Sequence, residues 1–133
     1  MKKLKKIEFL SETDIIIEHL TMAQTEELSA LELAMTKGVL YTTVLNAAEI
    51  KLLAVDSDNE KCINDILSSL HILGLHYRYS AYVNEFYPVM KSVRDALFCV
   101  TAKINKLPVL TDKPEKFAKT GLKVLTTEDL RKL

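Results

Sequence analysis

Short apolar runs alternate with longer amphipathic segments along this chain. The apolar runs lie at residues 7–10, 39–42, 71–75, 107–111 and 123–125, and each has the length of a buried strand. Strands that are separated by helices pair in parallel through right-handed crossovers. The pattern therefore predicts a single α/β domain over residues 1–133, a three-layer α/β/α sandwich with a central, mostly parallel sheet of four to five strands.

Capping signals and composition predict two early helices. Thr21 and Gln24 have the spacing of a capping box, which favours a helix from about Ala23 to Lys37 with Gly38 as its C-cap. The segment 43–55 is apolar on nearly every side, which predicts a helix buried in the core.

The remaining helices follow from periodicity and from two more capping patterns. Ser92 with Asp95 marks the start of the clearest amphipathic helix, and Thr126 with Asp129 marks the last one. Before these, helices are expected over residues 15–20, 60–70 and 79–90.

Composition narrows the class of protein. The 133 residues are 48% hydrophobic and carry no net charge, so the chain is globular and any attraction to phosphate must be local. No apolar run reaches the roughly 18 to 20 residues of a membrane span, and the two cysteines form no CxxC pair. We expect a cytoplasmic protein with no membrane contact.

Four acidic residues occupy positions where ligands bind in parallel sheets, outside the carboxyl ends of the strands. Glu12 follows the first strand, Asp112 follows the fourth, Glu49 lies in the helix after the second, and Asp95 opens the helix before the fourth. Carboxylates that converge repel one another unless a cation compensates them, and an all-oxygen set suits Mg²⁺ or Mn²⁺. Such an ion can activate water for phosphodiester hydrolysis.

The same residues resemble four motifs of the PIN-domain family, in order and over nearly the whole chain. The segment from Glu12 to Ile17 is similar to the family's opening Asp-Thr-Asp or Asp-Thr-Asn with its apolar run. The segments 42–50, 94–102 and 107–117 resemble the second, third and fourth motifs.

This resemblance implies a function. PIN domains such as VapC-type toxins are Mg²⁺-dependent or Mn²⁺-dependent ribonucleases, usually homodimers, and are neutralised by an antitoxin protein that could place a basic side chain among the acids. It implies that Glu12, Glu49 and Asp95 hold the metal with the assistance of Asp112. Thr13 or Thr111 would then orient the water or phosphate of an RNA substrate.

Two departures from the family pattern open an alternative. Glu12 stands where the family has Asp, and Lys113 stands at the usual fourth acidic or amide position, where its ammonium could occupy the space of a metal. The alternative is a catalytically degenerate PIN domain that acts as a binding or regulatory module. A third alternative, a phosphoacceptor receiver-like domain, is suggested by Lys113-Pro114 after a strand with acids nearby, but this sequence has no suitable acceptor Asp at the end of a central strand.

Each acid also has a structural interpretation. Asp95 fits a capping box with Ser92, Asp14 fits one with Ser11, and Asp112 fits a turn before Lys113. Glu49 has apolar helical neighbours, so we expect a buried carboxylate that needs a cation or several donors. The aromatic residues between 77 and 87 are expected to serve core or dimer packing, although base stacking is an alternative.

Overall fold

The computed structural model describes residues 6–22 and 27–133. Five strands form one sheet in which every neighbouring pair is parallel, in the order β3-β2-β1-β4-β5. This confirms the predicted fold class. The strands are β1 (Ile7–Ser11), β2 (Gly38–Thr43), β3 (His71–Leu73), β4 (Val109–Leu110) and β5 (Val124–Leu125).

Within the described residues, seven α-helices connect and flank these strands. They are α1 (Thr13–Thr21), α2 (Ala30–Lys37), α3 (Val44–Lys51), α4 (Ser57–Ser68), α5 (Val83–Met90), α6 (Val93–Ile104) and α7 (Thr127–Arg131). Short 3-10 helices cover Tyr77–Tyr82 and Pro114–Phe117. None of the helices in this part of the chain has the length and apolar character that crossing a membrane requires.

The two faces of the sheet carry separate hydrophobic cores, as a three-layer sandwich requires. Phe9 belongs to the core beneath α1, α2, α3, α4 and α7, whereas its neighbour Leu10 belongs to the core beneath α5 and α6. Successive side chains of a strand point to opposite faces, and both residues are fully buried because helices cover both faces of the sheet. The continuous apolar run of β1 therefore reflects a central strand covered on both sides.

The prediction for α2 was wrong at its start. This helix begins at Ala30, where Ser29 and Glu32 form a capping box with bonds of 3.1 and 3.2 Å. Thr21 is instead the last residue of α1, and its hydroxyl donates to the carbonyl of Ile17. The predicted partner Gln24 lies outside the described residues.

The prediction of a buried helix over 43–55 is confirmed for a helix at Val44–Lys51, but its length and its complete burial were wrong. Helix α3 ends at Lys51, and the apolar residues beyond it face solvent, with Leu52 and Val55 each 84% exposed. An all-round apolar sequence contains no polar face that would mark the exposed side, so hydrophobicity alone misplaced this segment. The segment 79–90 likewise divides at Tyr82, where a 3-10 helix passes into α5.

Gly38 shows why β2 can lie against β1. It pairs with Ile7, and a Cβ atom at this position would lie 1.9 Å from the carbonyl oxygen of Ile7. The φ angle of −176° is ordinary extended backbone, so the requirement is for space and not for an unusual conformation. Glycine here lets the two central strands approach.

Gly38→Ala will therefore destabilise the protein, by about 2 kcal/mol or more, since a backbone atom must move to admit the methyl group. Urea unfolding of this variant measures the loss. Gly74→Ala is the matched control, because nothing lies within 4 Å of a Cβ at Gly74. Equal stability of the two variants would contradict this account of the strand contact.

Candidate acidic site

The carboxyl edge of the sheet opens into a cavity of about 230 Å³. The cavity is lined by Glu12, Thr13, Asp14, Ile17, Glu49, Arg94, Thr111, Lys113 and Lys116. Strand β1 delivers Glu12 and α3 delivers Glu49, while the first turn of α6 delivers Asp95 beside the cavity. The structure therefore brings together three of the predicted site acids.

Glu12 is the centre of this arrangement. Its carboxylate is almost fully buried, caps α1 by accepting a 2.9 Å bond from the Thr13 amide, and accepts a 2.8 Å bond from the Asn46 side chain. The guanidinium of Arg94 binds both of its oxygens, Nη1 at 2.8 Å and Nη2 at 2.7 Å. This bidentate geometry is the strongest form of a carboxylate ion pair.

Arg94 also binds the other acids. Its Nη1 donates to Asp95 Oδ1 at 3.0 Å, its Nε donates to Glu49 Oε1 at 3.1 Å, and its Nη2 contacts the same Glu49 oxygen. The guanidinium lies 5.5 Å from the centre of the Phe98 ring, a distance suited to a cation–π contact. One arginine thus touches all three carboxylates.

Lys116 supplies a second cation to these acids. Its Nζ lies 3.1 Å from Asp95 Oδ1 and 3.5 Å from Glu12 Oε2. The predicted cation at this site was Lys113, which lines the cavity but makes no ion pair recorded among the described residues. Arg94 and Lys116, and not Lys113, therefore place the positive charge among the acids that the sequence suggested.

The pKa values reflect this pairing. Burial by itself would raise the pKa of Glu12, but the hydrogen bonds and charge of Arg94, with the Thr13 amide and Lys116, outweigh it and lower the pKa below its ordinary 4.5. Burial would lower the pKa of Arg94, yet Glu12 and Glu49 raise it overall. Both groups remain ionised at neutral pH.

The structure places Asp14 in the cavity and turns the carboxylate of Asp112 away from it, the reverse of what the sequence suggested. Asp112 was predicted to assist in the site, but its carboxylate accepts bonds of 2.8 and 2.6 Å from the amide and hydroxyl of Thr127 at the start of α7. Asp14, expected to cap with Ser11, lines the cavity and accepts bonds from the Thr111 hydroxyl and the Asp112 amide. The cap of α1 is Glu12.

Asp14 differs from Glu12 in its ionisation. Burial raises the pKa of Asp14, and the charges of Glu12 and Asp112 add to this, against the lowering effect of its hydrogen bonds. The cavity thus contains one carboxylate with a raised pKa next to one with a lowered pKa.

Glu49 lies at the site but is not buried. Its side chain is 45% exposed, contrary to the expectation from its apolar neighbours, and it accepts a 3.0 Å bond from the Thr13 hydroxyl as well as the bonds from Arg94. Its neighbours Leu52 and Leu53 face solvent at the end of α3. The apolar neighbours of Glu49 therefore do not bury its carboxylate, but the carboxylate still lies beside Arg94.

Three residues of the site were missed in the sequence: Asn46, Arg94 and Lys116. A signal for Arg94 was present, because a cation in the first turn of a helix opposes the helix dipole and is favourable only when acids surround it. Asn46 occupies the capping-box position after Thr43, and its amide group then faces Glu12. No pattern in the sequence marked Lys116.

The donor chemistry suits a hard divalent ion, but the arrangement does not. Among residues 6–22 and 27–133, no three Asp, Glu, His or Cys side chains are placed to hold one metal ion. Both oxygens of Glu12 and one oxygen each of Glu49 and Asp95 bind the guanidinium of Arg94. A metal does not fit the site while Arg94 lies there.

Comparison with known proteins identifies the fold. No protein-family model matches the sequence, and no curated protein is significantly similar to it. Solved structures do match, among them a VapBC2 complex from Rickettsia felis bound to a promoter DNA fragment. It has a TM-score of 0.73 and 16% identity, over 90% of this chain and 98% of that one. This chain has the fold of a VapC-type PIN domain.

Two further structures show the same PIN fold. A DNA-bound VapBC from Salmonella typhimurium has a TM-score of 0.75 and 11% identity, over 91% of this chain and 98% of that one. A toxin-antitoxin complex from Klebsiella pneumoniae has a TM-score of 0.70 and 18% identity, over 90% and 97%. At these identities the likeness establishes the PIN fold and leaves the chemistry to the residues of the site.

Glu12→Gln tests the central ion pair of this PIN fold through its pH dependence. At pH 7 the variant will be less stable by about 3 kcal/mol, because Arg94 loses its buried partner. Since the folded pKa of Glu12 is lowered, the stability from its charge is present above 4.5 and is lost as pH falls through the folded value. Urea unfolding across this range will show the two proteins converging in acid.

The charge of Glu12 helps to raise the pKa of Asp14, so the comparison is made in an Asp14→Asn background, where this coupled titration is absent. Glu128→Gln is the control, since Glu128 makes an exposed ion pair with Arg131 away from the site, and this variant should match the wild type. A stability difference between wild type and Glu12→Gln that stays constant with pH would contradict the ion-pair account.

Proposed function

We propose that this chain is a catalytically degenerate PIN domain that acts as a binding or regulatory module of a toxin-antitoxin type system. The observation that carries the proposal is the bidentate contact of Arg94 with Glu12, which fills the centre of the acidic site with a protein cation. This is the alternative that the departures from the family motifs raised, with Arg94 and Lys116 as the cations.

The charge balance of the cavity supports this. Three carboxylates and three cations line it: Glu12, Asp14, Glu49, Arg94, Lys113 and Lys116. Asp95, just beside them, brings the total to a single net negative charge. A divalent ion is attracted by carboxylates whose charge is not already neutralised. The site as arranged offers little such attraction.

A role in binding is supported by the surface around the end of α3. Leu52, Leu53 and Val55 are exposed there. Leu53 also lines an apolar cavity of about 240 Å³ together with Ile17 and Leu20 of α1. Clustered exposed apolar side chains are typical of surfaces that a protein partner covers.

The proposed partner is a small antitoxin-like protein. The similar structures named above are toxin-antitoxin complexes, two of them bound to DNA. A complex with such a partner requires the fold and its surface, not a reactive metal site. We also propose that the protein is cytoplasmic and forms a homodimer.

Co-expression tests the partner. The product of the reading frame next to this gene should co-purify with the chain as a stable complex. Leu53→Asp should weaken the complex at least about tenfold, because it places a charge in the apolar cavity. Tyr77→Asp is the control and should bind as the wild type does, because this side chain is 89% exposed in the 3-10 helix that packs with α5 and α6, on the other face of the sheet from α1 and α3. Equal binding of Leu53→Asp would remove this surface from the proposal.

The second candidate function is that of a metal-dependent endoribonuclease, the toxin of a toxin-antitoxin pair. It is favoured by the convergence of Glu12, Glu49 and Asp95, from three distant segments, at an open cavity. In this case Arg94 would leave the acids and these would hold Mg²⁺ or Mn²⁺, which activates water and neutralises charge on an RNA phosphodiester.

The remaining roles in that candidate fall on this chain's hydroxyl groups. Thr13 donates to Glu49, and Thr111 donates to Asp14, so both hydroxyls already lie at the cavity where they could orient water or phosphate. Asp112 would contribute through its amide contact with Asp14, since its carboxylate is bound to Thr127.

A cleavage assay separates the two candidates. With structured RNA and millimolar Mn²⁺, we expect the wild type and Glu49→Gln to be equally inactive, because Arg94 occupies the acids in the wild type. Glu49 is suited to this test, since its side chain is half exposed and its loss leaves the core intact. Cleavage by the wild type that Glu49→Gln abolishes would establish the nuclease in place of the module.

A further inference from the structure

We infer that the Arg94 guanidinium and a divalent ion exclude each other at the acidic site, so that removal of Arg94 uncovers a Mg²⁺ or Mn²⁺ site. This inference rests on the proposed function, because it explains how a PIN fold that retains its acids lacks a metal site. It goes beyond that proposal because it assigns the exclusion of the metal ion to one side chain, Arg94.

The exclusion follows from shared oxygen atoms. Arg94 donates to Glu12 Oε1 and Oε2, to Glu49 Oε1 and to Asp95 Oδ1. A magnesium ion lies at about 2.0 to 2.1 Å from its oxygen ligands and uses the lone pairs that now accept these N–H groups. Ion and guanidinium cannot occupy this space together.

The acids keep their places without Arg94. Glu12 is held by the Thr13 amide at 2.9 Å and by Asn46 at 2.8 Å, both independent of the arginine. Glu49 is held by the Thr13 hydroxyl at 3.0 Å. Asp95 is fixed in the first turn of α6, where its amide donates to Ser92. Each of the three acids therefore keeps a contact that does not involve Arg94, and small side-chain movements are what an ion would need to draw their oxygens together.

Removal of Arg94 also changes the balance of charge. Without Arg94, the four acids Glu12, Asp14, Glu49 and Asp95 would face Lys113 and Lys116, so the net charge of the site would change from one negative charge to two. Like charges in close proximity favour a cation that relieves their repulsion. Because the cavity is open and the Arg94 side chain is 24% exposed, an ion can reach the acids from solvent.

Titration with Mn²⁺ by calorimetry tests the inference. We expect Arg94→Gln to bind Mn²⁺ at least about tenfold more tightly than the wild type, since a unit charge a few ångströms from the ion is lost. Arg94→Lys retains the charge and should show a smaller gain. Arg131→Gln removes the same charge at an exposed pair with Glu128, and it should bind as the wild type does.

A second variant covers the case in which Arg94→Gln does not fold with Glu12 unpaired. Arg94→Lys keeps a cation beside Glu12 but loses the bidentate contact, so folding should survive, and its Mn²⁺ affinity should exceed that of Arg131→Gln by less than the gain of Arg94→Gln. The melting temperature of either variant should rise with added Mn²⁺. Adding Glu12→Gln to either variant should abolish the gain.

The inference is overturned if neither Arg94→Gln nor Arg94→Lys binds Mn²⁺ more tightly than Arg131→Gln, or if the double variants keep the gain. The proposed function fails on a different result, RNA cleavage by the wild type. The first outcome concerns a ratio of metal affinities and the second an activity, so the two failures are distinguishable.

Discussion

The pairing of Arg94 with Glu12 is the interaction on which the carboxyl edge of this sheet depends. Glu12 is buried at the end of the central strand, where an uncompensated carboxylate would cost several kcal/mol. Arg94 reaches it from α6, on the other side of the sheet from α3, which contributes Glu49. One guanidinium therefore ties together the strand and the helices of both outer layers.

This arrangement separates the fold from the chemistry that acidic residues at such an edge usually imply. The strand order and the crossover helices bring Glu12, Glu49 and Asp95 together, as expected for a VapC-type PIN fold. The residue next to Asp95 then determines what these acids bind. Because Arg94 is one position before Asp95 on the same helical turn, it is delivered to the site with it.

The strands and the sheet were predictable because each is a short apolar run bounded by polar residues, and the caps of α6 and α7 were visible in their spacing. Hydrophobicity alone did not predict burial at α3, because no polar residues mark the exposed side of that segment. The sequence predicted that Glu12, Glu49 and Asp95 would lie together at the site, but it did not predict that Arg94 and Lys116 would pair with them. Arg94, the partner of Glu12, lies 82 positions away in the sequence. The carboxylate of Asp112 binds Thr127, a contact between residues 15 positions apart that no sequence pattern indicates.

The most direct test of this account is a crystal structure of the wild-type protein grown with Mn²⁺, with anomalous diffraction used to locate the ion. The account predicts no manganese among Glu12, Glu49 and Asp95, and the guanidinium of Arg94 bound to both oxygens of Glu12. A manganese peak between these carboxylates, with Arg94 displaced from them, would contradict it.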